Sequence, residues 1–145
     1  MAKKVLFVCK HNLFRSQIAE GFFKKMNKNK NYSATSAGII RWDKKDLLGE
    51  GDYKIEKKTS KKFGIGLGKK SRGLSASILK NTDILVIVAD DVSPAIFRDE
   101  KSFNGRIIVW KTRDVKAKDK NKELVALKSI KYIREKVEEF VKRLK

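Results

Sequence analysis

The sequence predicts an α/β fold in which a parallel sheet is covered by helices on both faces, a three-layer α/β/α arrangement. Three observations carry this reading. Short apolar runs alternate along the chain with stretches of helical periodicity. The runs are rich in Val, Ile and Phe without polar alternation, as expected of strands buried on both sides. The segments between runs can hold the crossover helices that parallel pairing requires.

Taken in order, Val5-Leu6-Phe7-Val8 reads as the first strand, and Ser16 to about Lys28 as a helix with Ile18, Ala19, Phe22, Phe23 and Met26 on one face. Tyr32 to Ser36 is a second strand, closed by Gly38. After a polar loop, a helix from about Tyr53 to Phe63 ends at Gly64, and Gly64-Ile65-Gly66-Leu67-Gly68 is a flexible connection. Ser75 to Asn81 forms a short helix, Asp83 to Ala89 the third strand, and Ser93-Pro94 opens another short helix by the cap-then-proline rule. Arg106 to Trp110 is the fourth strand. The last helix spans about Lys122 to Lys145, with a predicted inner face that includes Leu124, Leu127, Ile130, Ile133, Val137 and Phe140.

Composition bounds the function. The 145 residues suit one domain, 1–145, and the 41% hydrophobic share supports a packed core. The longest apolar run, Ile84 to Ala89, suits a buried strand and is too short to span a membrane. The basic start MAKKVLFVC has too short an apolar stretch for a signal peptide. A lone cysteine, Cys9, excludes an intramolecular disulfide, and a cytoplasmic location is the expectation. No Cys/His cluster is present to bind a metal, and no cofactor is called for. The net charge of +19 implies an attractive field for anions, whether a phosphorylated substrate, a polyanion or nucleic acid. The lysines are spread evenly along the chain, and no nucleic-acid-binding motif accompanies them.

The chemistry concentrates at Cys9-Lys10-His11-Asn12-Leu13-Phe14-Arg15-Ser16, a Cys-x5-Arg-Ser loop between the first strand and the first helix. Such a loop turns consecutive backbone N–H groups into one concavity with the helix dipole behind it, which makes an anion site. The same field favours the thiolate form of a cysteine placed there. The Arg15 guanidinium can fork two oxygens of a phosphate. The Ser16 hydroxyl can donate to the sulfur, and Asn12 is among the few residues that tolerate positive φ. Ligands of open parallel sheets bind outside the carboxyl ends of the strands, where Cys9 lies.

VLFVCKHNLFRSQIAEG closely resembles the phosphate-binding loop of the low-molecular-weight protein tyrosine phosphatases and the arsenate reductases related to them. The likeness extends to Ser36-Ala37-Gly38 with the downstream Trp42, to Ser71-Arg72, and to Trp110-Lys111-Thr112-Arg113-Asp114. It implies a four-stranded sheet in the order 2-1-3-4. It also implies a phosphomonoester hydrolase acting on a phosphorylated protein or small phosphomonoester. In that chemistry Cys9 forms a phosphocysteine, Arg15 and the loop amides hold the phosphate, and Asp114 is the general acid and then the general base. Ser36 is then either a partner of Asn12 or a strand-end turn residue. Arg72 either braces the loop or pairs on the surface, and Trp42 is either a wall of the substrate pocket or a packing residue.

The chain departs from the family pattern at several positions. Val115 replaces a proline that usually follows the aspartate, and Phe14 stands where many relatives carry a second cysteine. His11 replaces a common glycine and reads as a loop residue, and Lys69 stands where a loop-bracing histidine is often found. Gln17, in place of the proline common in the phosphatases, resembles the reductase branch. A thioredoxin-coupled relay needs further cysteines and is excluded, whereas arsenate reduction with an external thiol needs only Cys9 and stays open. A basic phosphate- or nucleic-acid-binding module without turnover is the alternative from another class.

Overall fold

Four strands form a parallel sheet in the order β2-β1-β3-β4: β1 (Lys3–Cys9), β2 (Tyr32–Gly38), β3 (Ile84–Val88) and β4 (Arg106–Trp110). This computed structural model describes residues 2–39, 51–68, 71–98, 101, 103–116 and 118–144. The helices are α1 (Arg15–Met26), α2 (Gly51–Lys61), α3 (Ala76–Lys80), α4 (Ala95–Arg98) and α5 (Lys122–Lys142). None of the described helices is long and apolar enough to cross a membrane.

The period-2 alternation of β1 divides the core between the two faces of the sheet. Val5 and Phe7 point to one side, where Val86, Val88 and Trp110 meet Ile18, Phe22 and Phe23 of α1 and Ile130, Ile133 and Val137 of α5. Leu6 and Val8 point to the other, against Leu85, Ile87, Leu79, Val92 and Phe97. Phe7 sits at the centre of the first cluster, with ring centroids 5.8 Å from both Phe23 and Trp110. Truncating it to alanine is expected to cost about 3–5 kcal/mol, because the surrounding elements cannot collapse into the space.

The inner face of α5 is phased differently from the predicted one at its first turn. Ala126, Ser129, Ile130, Ile133 and Val137 are buried, whereas Leu124 is 43% exposed. At about 100° per residue, Leu124 lies roughly 200° around the axis from Ala126, on the solvent side. The helix also ends three residues earlier than predicted, with Arg143 as its cap. Gly64 closes the turn after α2 at φ 75, a conformation that suits glycine.

Parallel registration brings every carboxyl end to one side. Cys9 pairs with Gly38, and Val88 with Trp110. The segments following β1, β3 and β4 therefore converge, which sets up the site described next.

Candidate active site

Cys9 ends β1, buried but for 3% of its surface, and the chain wraps around its sulfur before entering α1. The Asn12 backbone N–H points at Sγ at 3.2 Å, and the Ser16 hydroxyl lies 3.0 Å from it. Asn12 holds φ 56, the one positive-φ non-glycine among the described residues. Its side chain explains why it stays there. Nδ2 donates to Ser16 Oγ at 2.7 Å and to Ser36 Oγ at 2.9 Å, and Oδ1 accepts the Arg72 backbone N–H at 2.8 Å. Because Asn12 donates to Ser16 Oγ, the Ser16 proton is left to point at the sulfur.

The start of α1 is uncapped by any side chain at Phe14, and no acidic residue occupies its first turn. The cap residue thus leaves the first N–H groups of this twelve-residue helix uncovered, and no acid of its own first turn occupies them, as an anion site requires.

Gly38 lets the loop lie this close. A Cβ there would sit 2.6 Å from the His11 carbonyl carbon and 2.7 Å from the Asn12 nitrogen, so the loop backbone would have to move. Gly38→Ala is expected to weaken vanadate binding by on the order of tenfold to a hundredfold, as misplacement of a preorganised site does. Calorimetric titration checks this, with far-ultraviolet circular dichroism to show that the fold persists.

Arg15 is 99% buried and its guanidinium faces three carboxylates. Nη1 donates to Asp91 Oδ1 at 3.1 Å and to the Thr112 carbonyl at 2.9 Å, and Nη2 donates to Asp91 Oδ2 at 3.4 Å. Asp114 Oδ2 lies 3.5 Å from Nη2, and Asp90 3.7 Å from Nη1. Burial alone would lower the Arg15 pKa, but Asp114, Cys9 and Asp91 together outweigh it and hold the group above its ordinary value. The charge of Arg15 is therefore fixed. Burial also lowers His11, helped by the adjacent Lys10 and opposed by Asp114. The His11 imidazole is thereby biased towards its neutral form.

Asp114 is positioned from both ends of its segment. Its Oδ1 accepts the Val115 N–H at 2.9 Å, leaving Oδ2 on the Arg15 side. The Ser129 hydroxyl holds the preceding carbonyl, that of Arg113, at 3.0 Å. Valine in place of proline thus supplies an N–H that proline lacks. Arg113 itself pairs with Asp119, which also takes the Lys116 N–H at 2.7 Å.

A second layer fastens the loop from behind. Gln17 Nε2 donates to the Asn12 carbonyl at 2.6 Å, and its Oε1 accepts the Gly68 N–H. Ser36 donates to Glu20, whose other oxygen takes Lys24.

Cys9, Asn12, Arg15, Ser16, Ser36 and Asp114 are therefore brought together, and Arg72 joins them through its backbone. Trp42, Lys69 and Lys70 lie outside the described residues. Sequence reasoning missed Asp90, Asp91, Glu20 and the bridging role of Gln17. The acidic pair follows the central strand β3 at the carboxyl end of the sheet, and that placement was a readable signal. Among the described residues no group of three His, Cys, Asp or Glu side chains is placed to hold a metal ion. What the arrangement offers is a buried thiol beside an uncapped helix start, a fixed cation, and a carboxyl group across from both.

A family model described as low molecular weight phosphotyrosine protein phosphatase matches residues 4–144. Among solved structures, an arsenate reductase from Archaeoglobus fulgidus is 25% identical with a TM-score of 0.69, covering 96% of this chain and 99% of that one. A protein tyrosine phosphatase from Entamoeba histolytica is 23% identical with a TM-score of 0.71, over 98% and 95% of the two chains. A low molecular weight protein tyrosine phosphatase from T. tengcongensis is 20% identical with a TM-score of 0.67, over 99% and 100%. No curated protein sequence matches the chain.

Proposed function

The chain belongs to the low molecular weight phosphotyrosine protein phosphatase family, and within it we propose a phosphomonoester hydrolase that works through a phosphocysteine at Cys9, with phosphotyrosine in proteins as substrate. The coarser activity, a cysteine-based phosphatase or arsenate reductase, follows from the family and the arsenate reductase likeness. One observation carries the phosphocysteine step: Cys9 Sγ receives an N–H and a hydroxyl from its own loop while Asp114 faces the buried Arg15 at 3.5 Å. The choice of phosphotyrosine rests on the family's description.

The steps follow from these positions. Cys9 Sγ attacks phosphorus in line, so that the S–P bond forms as the P–O bond to the alcohol breaks. Arg15 and the loop N–H groups hold the equatorial oxygens. The leaving oxygen takes a proton from Asp114, presented on the Oδ2 side because Oδ1 is occupied by Val115. Asp114 then takes a proton from water, whose attack on phosphorus releases inorganic phosphate and restores the thiolate. Ser16, held as a donor by Asn12, stabilises the sulfur as nucleophile and as leaving group.

For the whole of residues 1–145 we read one domain, placed in the cytoplasm, where a lone cysteine stays reduced.

A second reading, arsenate reduction, is favoured by Gln17, whose bridge from Asn12 to Gly68 does the fastening that a proline could not. In it the Cys9 thiolate adds to arsenate with loss of water, and two external thiols supply the two electrons that convert As(V) to As(III). The two readings separate in one assay. Phosphate release from p-nitrophenyl phosphate without added thiol, with no arsenite formed from arsenate and glutathione above the Cys9→Ser level, is the expected result. Arsenite formation without phosphatase turnover would replace the first reading by the second.

A further inference from the structure

The phosphate loop uses one arginine, which leaves the charge of +19 unexplained. We propose that a groove at the opposite end of the sheet from Cys9 binds single-stranded nucleic acid. A cavity of about 870 Å³ runs from the amino-terminal ends of all four strands along β4 as far as Trp110, beneath the last turns of α5. Five cations, Lys3, Lys80, Arg106, Lys136 and Arg143, line it. They are far apart in sequence, so their convergence is a product of the fold.

The local charge is not balanced by the protein. Two carboxylates share the groove, Asp83 and Glu139. Asp83 is engaged by the Lys4 backbone N–H at 2.7 Å. Among the described residues, none of Lys3, Lys80, Arg106 and Arg143 forms an ion pair, although pairs form elsewhere on the surface. Lys136 lies over the Tyr132 ring, 5.6 Å from its centroid, which leaves its charge uncancelled. Converging cations repel one another, and a polyanion along the groove relieves that repulsion with release of its counterions.

The floor selects the class of polyanion. Tyr32 and Phe140, both half-buried, line the groove among the cations, with the buried Trp110 ring packed beneath Phe140. Aromatic surface inside a cationic groove suits a single strand, whose phosphates follow the cations while its bases stack. An acidic peptide would satisfy the charges but make no use of the rings. The five cations gather at the amino-terminal ends of the strands, away from Cys9 at the carboxyl end, so the two sites are expected to fill independently.

The test is fluorescence anisotropy of a short labelled oligo-dT, titrated with the full chain at several salt concentrations. About four phosphate contacts give an expected slope of log affinity on log salt near −3, from roughly 0.7 per contact on single strands. Arg106→Glu combined with Arg143→Glu is expected to lower affinity on the order of tenfold or more and to make the slope shallower. Lys3→Glu with Lys80→Glu should behave alike, in case the first pair perturbs the end of α5. The control, Lys54→Glu with Lys61→Glu on α2, makes the same change in net charge away from the groove and should cost far less. Vanadate should not displace the oligonucleotide, and Cys9→Ser should bind it normally, whether or not the chain proves to be a phosphatase. Equal losses in groove and control variants, displacement by vanadate, or competition by polyglutamate as effective as by unlabelled oligo-dT would each overturn the proposal.

Discussion

Replacing Cys9 by serine is expected to lower turnover of p-nitrophenyl phosphate by at least about 10⁴-fold, the scale seen when a nucleophile is removed from an otherwise complete site. The change is small in volume, and a hydroxyl can keep the contacts that the sulfur makes with Ser16 and the Asn12 N–H. The fold, and with it the anion site, should survive. Steady-state kinetics against wild type, with vanadate affinity measured on both, separates loss of chemistry from loss of the loop. A variant that binds vanadate yet fails to turn over is the expected outcome. Residual activity above a hundredth of wild type would mean that another group attacks phosphorus.

The second large effect is at the acid. Asp114→Asn is expected to reduce kcat by roughly 10²–10³-fold on a substrate with a poor leaving group, within the range for loss of a general acid–base group. Its dependence on the leaving group is more diagnostic than its size. Because p-nitrophenolate departs with little help, the loss should be smaller for p-nitrophenyl phosphate than for phosphotyrosine or an alkyl phosphate. Asparagine can still accept the Val115 N–H, so the segment keeps its shape. Equal losses across leaving groups would indicate that Asp114 acts through Arg15, 3.5 Å away, and not on the departing oxygen.

Much of the fold was legible because its signals are local. The apolar runs at Val5–Val8 and Ile84–Ala89 specify strands buried on both faces, and the Cys9–Ser16 loop carries thiol, hydroxyl and guanidinium within eight positions. Asn12 could be read as the residue that turns the loop, and it has φ 56. The helix phase at Leu124 was misjudged because one apolar residue at the start of α5 looks like part of the stripe until the packing partner fixes the rotation.

The partners of Arg15 were harder. Asp91 is 76 positions away and Asp114 nearly a hundred, and pairings at that range follow from the order of strands, not from spacing. Knowing the order 2-1-3-4 and the rule for carboxyl ends, an acidic pair directly after β3 could have been placed beside the loop. Gln17 looked like a marker of one branch of the family; its two hydrogen bonds show it holding the Asn12 peptide against Gly68. The evenly spread lysines concealed their gathering in space, since positions 3, 80, 106, 136 and 143 meet only in the folded chain.

The central claim is a covalent phosphoenzyme on Cys9, and rapid mixing with p-nitrophenyl phosphate followed by acid quench tests it most directly. A burst of p-nitrophenol close to one equivalent per chain, with phosphate found by mass spectrometry on the peptide containing Cys9, is the expected result when hydrolysis of the intermediate is slower than its formation. Asp114→Asn should lengthen the life of that adduct. Steady turnover with no burst and no phosphate on Cys9 in either protein would contradict the account.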